Sequence, residues 1–88
     1  MYEGIIDLAK LPTLDLHGEI VDIARIKIID FISDNIKLKN KYVAIIHGKG
    51  TGKVKEITHD TLKNNKDVLE YKTCYFNDGE TIVKLNTH

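Results

Sequence analysis

The stretch Val43-Ala44-Ile45-Ile46-His47-Gly48-Lys49-Gly50-Thr51-Gly52-Lys53 constrains the fold more than any other part of the chain. Its four apolar residues fit a short buried strand. Glycine at every second position from 48 to 52 requires a backbone that turns sharply or lies close against something. Beyond it, Val54, Ile57, Thr58, Thr61 and Leu62 recur at helical spacing as far as Asn64-Asn65, a stop signal. The loop therefore joins a strand's C-terminal end to a helix N-terminus, where open backbone N–H groups and the helix dipole favour an anion. Lys49 and Lys53 add positive charge, so the loop reads as a phosphate cradle. It is not a nucleotide-cofactor loop. A Walker A motif needs glycine where His47 stands and Ser or Thr where Val54 stands, and the dinucleotide fingerprint needs its third glycine at position 53, which is lysine.

The flanking elements follow from periodicity. Thr13-Leu14-Asp15-Leu16-His17 alternates as a strand, with Leu14 and Leu16 facing one way and Asp15 and His17 the other, and Gly18 ends it. Glu19 to Leu38 is a long helix whose residues Ile20, Val21, Ile23, Ala24, Ile28, Phe31 and Ile32 form one broad apolar face. Ile26 and Ile29 fall outside that face, covered either by an N-terminal arm or by a partner. Lys37 to Lys41 is a solvated turn. Val68 to Phe76 is rich in strand formers, Asn77-Asp78-Gly79 is of hairpin-turn type, and Thr81 to Leu85 is the final strand. The order predicts an α/β fold: a mixed four-stranded sheet with two helices on one face, the first strands parallel through right-handed crossovers. Residues 1–12 are expected to form an arm and residues 13–88 the domain.

Thirteen basic and thirteen acidic residues cancel in this 88-residue chain, so any polyanion surface must be a local patch. The single cysteine, Cys74, excludes an internal disulfide and reads as a small strand residue in a reducing compartment. No apolar run reaches the ~20 residues of a membrane span, and the N-terminus has no signal-peptide pattern. The expected location is the cytoplasm, with no membrane partner and a monomeric state.

If the first two strands are parallel neighbours, His17-Gly18 and His47-Gly48 end them on the same sheet edge, where open α/β sheets bind ligands. Two imidazoles beside a phosphate loop suit phosphodiester cleavage, one as general base and one as general acid. Loop N–H groups and lysines would hold the charge that develops on phosphorus. With RNA the nucleophile could be the adjacent 2′-hydroxyl. Each histidine could equally be a hydrogen-bonded strand end. His59 and His88 read as exposed bystanders. Asp15 with two histidines makes an incomplete ligand set with no metal spacing, so no cofactor is expected and the need for a divalent metal stays open.

Leu14-Asp15-Leu16-His17-Gly18, followed by a helix and then Ile46-His47-Gly48-Lys49-Gly50-Thr51-Gly52, resembles the small MutS-related (Smr) domain from about Thr13 to Leu85. That family is found at the C-terminus of MutS2 proteins and in stand-alone proteins, and this chain is similar to a stand-alone member. The resemblance implies a two-layer βαβαββ sandwich similar to the C-terminal domain of initiation factor three. It also implies nucleic-acid binding and, in several members, endonuclease activity on DNA or on messenger RNA at stalled ribosomes. By position, Asp15, His17 and His47 match its catalytic motif residues. Gly48, Lys49, Gly50, Thr51 and Gly52 match its second motif and Lys55 stands where many members carry a basic residue; together with Gly18 and Lys53 these are the expected nucleic-acid-binding residues. The family's glycine-rich third motif is replaced here by Asn77-Asp78-Gly79-Glu80-Thr81, which adds negative charge.

Two functions of different class are consistent with this sequence beside a third, structural one. The first is an endonuclease acting on RNA or nicking DNA by histidine acid–base chemistry. The second is a non-catalytic module that binds nucleic acid or the ribosome, favoured by the zero net charge and the altered third motif. The third is a partner-docking domain that uses Ile26 and Ile29.

Overall fold

The computed structural model describes residues 10–87. Its elements are β1 (Thr13–Asp15), α1 (Val21–Lys37), β2 (Tyr42–Ile46), α2 (Lys53–Lys63), β3 (Val68–Cys74) and β4 (Asn77–Leu85). The sheet order is β1-β2-β4-β3. β1 and β2 are parallel, with Asp15 opposite Ile46, and β4 runs antiparallel to both β2 and β3. This is the expected α/β fold, and it brings the C-terminal ends of β1 and β2 and the start of β4 to one edge.

Both helices pack on one sheet face. Ala24, Ile28 and Ile32, spaced i, i+4, i+8 on α1, meet Val43 and Ile45 of β2, Val83 and Leu85 of β4, and Ile57 and Leu62 of α2. Full burial of each large aliphatic side chain here contributes about 1.5–3 kcal/mol. The opposite sheet face carries a smaller cluster in which Leu11 packs on Ala44 and Ile82. The expected arm over Ile26 and Ile29 falls largely on residues 1–9, outside the described residues.

The apolar stripe of α1 is narrower than its sequence promised. The helical spacing places Ile20 and Ile23 on the inner face, but Ile20 is 65% exposed and Ile23 38%, alongside Ile26 at 56% and Ile29 at 46%. The i+4 row of Ala24, Ile28 and Ile32 makes the contact, and the next buried residue along the helix, three positions beyond Ile32, is the polar Asn35. Asn35 is satisfied at both ends of its amide: Nδ2 donates to the Phe31 carbonyl at 2.8 Å, and Oδ1 accepts from Asn40 Nδ2 at 2.8 Å. It ties the end of α1 to the turn before β2. In that turn Lys39 holds φ 60°, a conformation that costs a side-chain-bearing residue about 1–2 kcal/mol.

Two strand boundaries also differ from the sequence reading, for the same physical reason. β1 stops at Asp15, short of His17, because Asp15 Oδ1 accepts the His17 backbone N–H at 3.1 Å and turns the chain away from the ladder. The β3–β4 hairpin closes at Tyr75-Phe76, and Asn77-Asp78-Gly79 lies within β4. Thr73 pairs with Thr81 while Cys74 pairs with Asn77, so Asp78, Gly79 and Glu80 bulge out of the β3 ladder. Asn77 Oδ1 accepts the Gly79 N–H at 3.0 Å. The expected turn chemistry is present, but it shapes the bulge and not the hairpin tip.

Among the described residues no helix is long and apolar enough to cross a membrane.

Candidate functional site

The bulge in β4 positions the glycine loop. The Gly79 carbonyl accepts the backbone N–H groups of both His47 (2.9 Å) and Gly48 (3.0 Å), holding the end of β2 against β4. A Cβ at Gly79 would lie 3.1 Å from Lys49 Cγ and 3.3 Å from the Gly48 carbonyl carbon. A side chain at this position would press on the Gly48 backbone, which would have to give by a few tenths of an ångström. Gly48 at φ 82° and Gly52 at φ 85° then bend the loop through the left-handed region.

The loop and the end of β1 enclose a pocket of about 480 Å³ lined by His17, Gly18, Glu19, His47, Gly48, Lys49, Gly50, Thr51, Gly52, Val54 and Lys55. Nearly all the sequence-designated residues therefore come together. Asp15 stands behind His17, and Lys53 departs from the group, lining the neighbouring groove with Val21, Glu56, Ile57 and Asp60. Gly52 is the N-cap of α2 and provides no side-chain cap; the Lys53 N–H reaches Thr51 Oγ1 at 3.4 Å instead, and the other first-turn N–H groups have no partner within the helix. Lys53 and Lys55 oppose the helix dipole at this end, an arrangement that a bound anion would relieve.

The two strand-end histidines occupy different environments. His17 is exposed, and its Nδ1 lies 2.8 Å from Asp15 Oδ1. The carboxylate accepts the Nδ1 proton, so Nε2 remains available for chemistry. This hydrogen bond and the adjacent negative charge raise the pKa of His17, while the same contacts lower that of Asp15.

His47 is only 4% exposed and both its ring nitrogens are engaged. Nδ1 lies 3.1 Å from the Gly48 carbonyl and Nε2 lies 2.8 Å from Thr81 Oγ1. A carbonyl only accepts, so Nδ1 carries the proton and neutral His47 takes the Thr81 hydroxyl proton at Nε2. His59 Nε2 also lies 2.8 Å from Thr81 Oγ1, and with the hydroxyl proton committed it must donate. The chain runs His59 to Thr81 to His47 to Gly48. Burial lowers the pKa of His47, with Lys55 adding to the effect and the Gly48 carbonyl, Asp78 and Glu80 opposing it. Burial also lowers His59, reinforced by His47 and Lys55.

His59 is thus no bystander, contrary to the sequence reading. Its ring stands edge-on to His47 at 5.8 Å between centroids and 5.1 Å from that of Tyr71. Its i+4 relation to Lys55 was the available signal, since that spacing puts both on the loop side of α2. Thr81 was also missed. It is a hydroxyl on the inner face that Val83 and Leu85 otherwise fill with hydrocarbon. His88 lies outside the described residues.

Two carboxylates temper the positive charge. Glu19 at the pocket wall pairs with Lys27 Nζ at 2.6 Å, which lowers its pKa. Asp78, from the altered third motif, lies 3.4 Å from Lys49 Nζ, both side chains being exposed. Among the described residues no group of three or more His, Cys, Asp or Glu side chains converges in a way that could hold a metal ion.

Comparison with known proteins accords with this architecture. The sequence model of the Smr domain matches residues 14–86. Endonuclease MutS2 of Halothermothrix orenii is 39% identical over 74 residues, covering 84% of this chain and 9% of that protein. Endonuclease MutS2 of Ligilactobacillus salivarius is 38% identical over 68 residues, covering 77% and 9%. The chain spans about a tenth of the length of these curated relatives. Among solved structures, the Smr domain of Thermus thermophilus MutS2 superposes with a TM-score of 0.82 at 24% identity, covering 85% of this chain and 98% of that one. YdaL, a stand-alone small MutS-related protein from Escherichia coli, superposes with a TM-score of 0.81 at 26% identity, covering 85% and 64%. Sequence and fold agree, and the chain belongs to the Smr domain family.

Proposed function

We propose that this domain binds nucleic acid at the glycine-loop pocket and cleaves RNA there, with His17 as the proton-transfer group. The observation that carries the reading is the Asp15–His17 pair, its Nε2 uncommitted, beside a glycine-rich loop that lines the same pocket with Lys49 and Lys55. The phosphate sits on the loop N–H groups and the first turn of α2, with Lys49 and Lys55 compensating its charge. His17 Nε2 takes the proton of a 2′-hydroxyl, whose oxygen attacks the adjacent phosphorus. The bond to the 5′-oxygen breaks, and that oxygen takes a proton from water or from a neighbouring ammonium group. The products are a 2′,3′-cyclic phosphate and a 5′-hydroxyl. Asp15 holds the imidazole in the required tautomer and steadies the imidazolium. His47, in this scheme, shapes the pocket wall and anchors Gly48 in place of acting as the second acid–base group. The MutS2 relatives named as endonucleases support nuclease chemistry in the family.

The test is cleavage of single-stranded RNA by purified protein, with product ends identified. His17→Ala should abolish cleavage while retaining RNA binding. Equal cleavage by the variant would remove His17 from the mechanism, and 5′-phosphate products would exclude attack by the 2′-hydroxyl.

A second reading, binding without turnover, is favoured by the burial of His47 and by the Lys49–Asp78 pair, which leave one uncommitted imidazole and a partly neutralised loop. It predicts salt-sensitive RNA binding with no cleavage by the wild-type protein, weakened by Lys49→Ala.

A further inference from the structure

Tyr75 and Phe76 form the two-residue tip of the β3–β4 hairpin and are 77% and 79% exposed. Their rings stack edge to face at 4.9 Å between centroids, so they form one ordered aromatic surface. Neither holds a positive φ. The tip therefore does not adopt the left-handed turns that Asn and Gly favour, and the position imposes no backbone reason for its residues. Among the described residues neither ring joins a core cluster. Exposing two large aromatic side chains together forfeits burial that either could contribute elsewhere.

Their location gives them a use. Phe76 is followed directly by Asn77, whose side chain holds the Gly79 N–H, and Gly79 lies against Gly48 and Lys49 of the phosphate loop. Along the chain, Phe76 and Gly79 are at most about 11 Å apart, three Cα steps. A nucleotide with its phosphate on the loop can therefore lay its own base, or its neighbour's, on the aromatic tip. We infer that Tyr75 and Phe76 are a base-stacking platform, which makes single-stranded nucleic acid the preferred ligand of the domain. This rests on the nucleic-acid reading above and adds to it a strand state and a second contact point. In a duplex the base faces are occupied by their neighbours, whereas an unpaired base offers its face to a ring. The platform is indifferent to base identity because every base has a π-face.

The chain contains no tryptophan, so Phe76→Trp installs a single reporter at the tip. Titration with a single-stranded oligouridylate should quench its emission, with affinity close to that of the wild type. Tyr75→Ser/Phe76→Ser should weaken oligonucleotide binding about tenfold or more, while binding of an abasic oligonucleotide of equal length stays unchanged. Lys49→Ala should weaken both ligands. Circular dichroism and thermal melting establish that the serine variant is folded, and Phe76→Trp tests the platform independently of it. If wild-type protein binds the oligonucleotide and the serine variant binds equally well, the platform is refuted and the pocket reading survives. If wild-type protein binds neither ligand, the nucleic-acid reading itself fails. A wild-type dimer that the serine variant dissociates, with RNA affinity unaltered, would assign the rings to self-association and overturn the proposal.

Discussion

Replacing Thr81 by valine removes one hydroxyl and almost no volume, yet that hydroxyl is the link between two imidazoles. Thr81 is fully buried and its Oγ1 lies 2.8 Å from the Nε2 atoms of both His47 and His59. With valine in place, His47 Nε2 becomes a buried acceptor with no partner, at a cost of about 1–3 kcal/mol. His59 is only partly buried, so water can take over its bond, and its loss is about 0.5–1.5 kcal/mol. The methyl group that replaces the hydroxyl returns up to about 0.8 kcal/mol. The net destabilisation is about 2 kcal/mol, a large share of the ~5–15 kcal/mol that holds a domain folded. For a chain of this size that lowers Tm by roughly 8–16 °C. Thr81→Ser is the control: it keeps the hydroxyl and loses a methyl group, so it should cost only about 1 kcal/mol. Urea unfolding at pH 7.5 should rank wild type above serine and serine above valine, with the denaturant slope unchanged. Coupling with His59→Ala should be strong, since both changes break one chain of bonds. A valine variant as stable as the serine one would show that the hydroxyl does not hold His47, and the tautomer assignment would fall with it.

The other predictions concern protonation and backbone conformation. His47 and His59 both have lowered pKa values from burial, so the unfolded chain binds more protons as pH falls below its ordinary value of about 6.5. Their contribution to stability is complete above that pH and is lost as pH drops toward the depressed folded values; urea midpoints measured from pH 7.5 down to 5.0 should decline, and less so in Thr81→Val/His59→Ala. His17 behaves oppositely, because Asp15 raises its pKa. Asp15→Asn should move the His17 titration observed by NMR to lower pH, and an unmoved titration would deny that the pair exists in solution. Lys39→Gly relieves a left-handed lysine at φ 60° and should stabilise the domain by about 0.5–1 kcal/mol in thermal melts, the strain removed outweighing the added chain entropy. Gly48→Ala places a side chain at φ 82° with its Cβ 3.5 Å from His17 Cβ; it should cost about 1–2 kcal/mol in stability and weaken RNA binding in anisotropy titrations.

Elements with a clean period were readable in the sequence. β2 and α2 have their expected places because each carries its apolar pattern without competing side-chain chemistry. The parallel pairing of β1 and β2 follows from strand–helix–strand order, and with it the gathering of His17 and the glycine loop at one edge. The misreadings occur where one chemistry serves two structures. Asn77-Asp78-Gly79 has the composition of a hairpin turn, and its asparagine does cap a turn, but tertiary pairing of Gly79 with His47 and Gly48 converts that turn into a bulge. Ile20 and Ile23 have the hydrophobicity of inner residues, and only the narrow row that touches the sheet decides otherwise. Thr81 and His59 come from β4 and α2, so no local spacing announces that they share a hydrogen-bond chain.

The same competition explains why the site occupies the loop. α2 carries Lys63 in its last turn, where a cation suits the dipole, but its first turn holds Lys53 and Lys55, where cations do not, beside the favourable Glu56. The N-cap is a left-handed glycine that supplies no side-chain acceptor. Beside it the chain buries His47 in a position that disfavours its charged form, and passes through a second left-handed glycine. Serine or aspartate, the ordinary helix-start residues, would supply the acceptor that this N-cap lacks. A simple connector would have no use for this combination. An anion on the loop offsets the cationic charge, satisfies first-turn N–H groups and needs the close backbone approach that the glycines permit. With a net charge of zero the chain has no general field to attract a polyanion, so the proposed binding would draw its affinity from this one corner, and salt should weaken it with a slope set by only the few lysines gathered there.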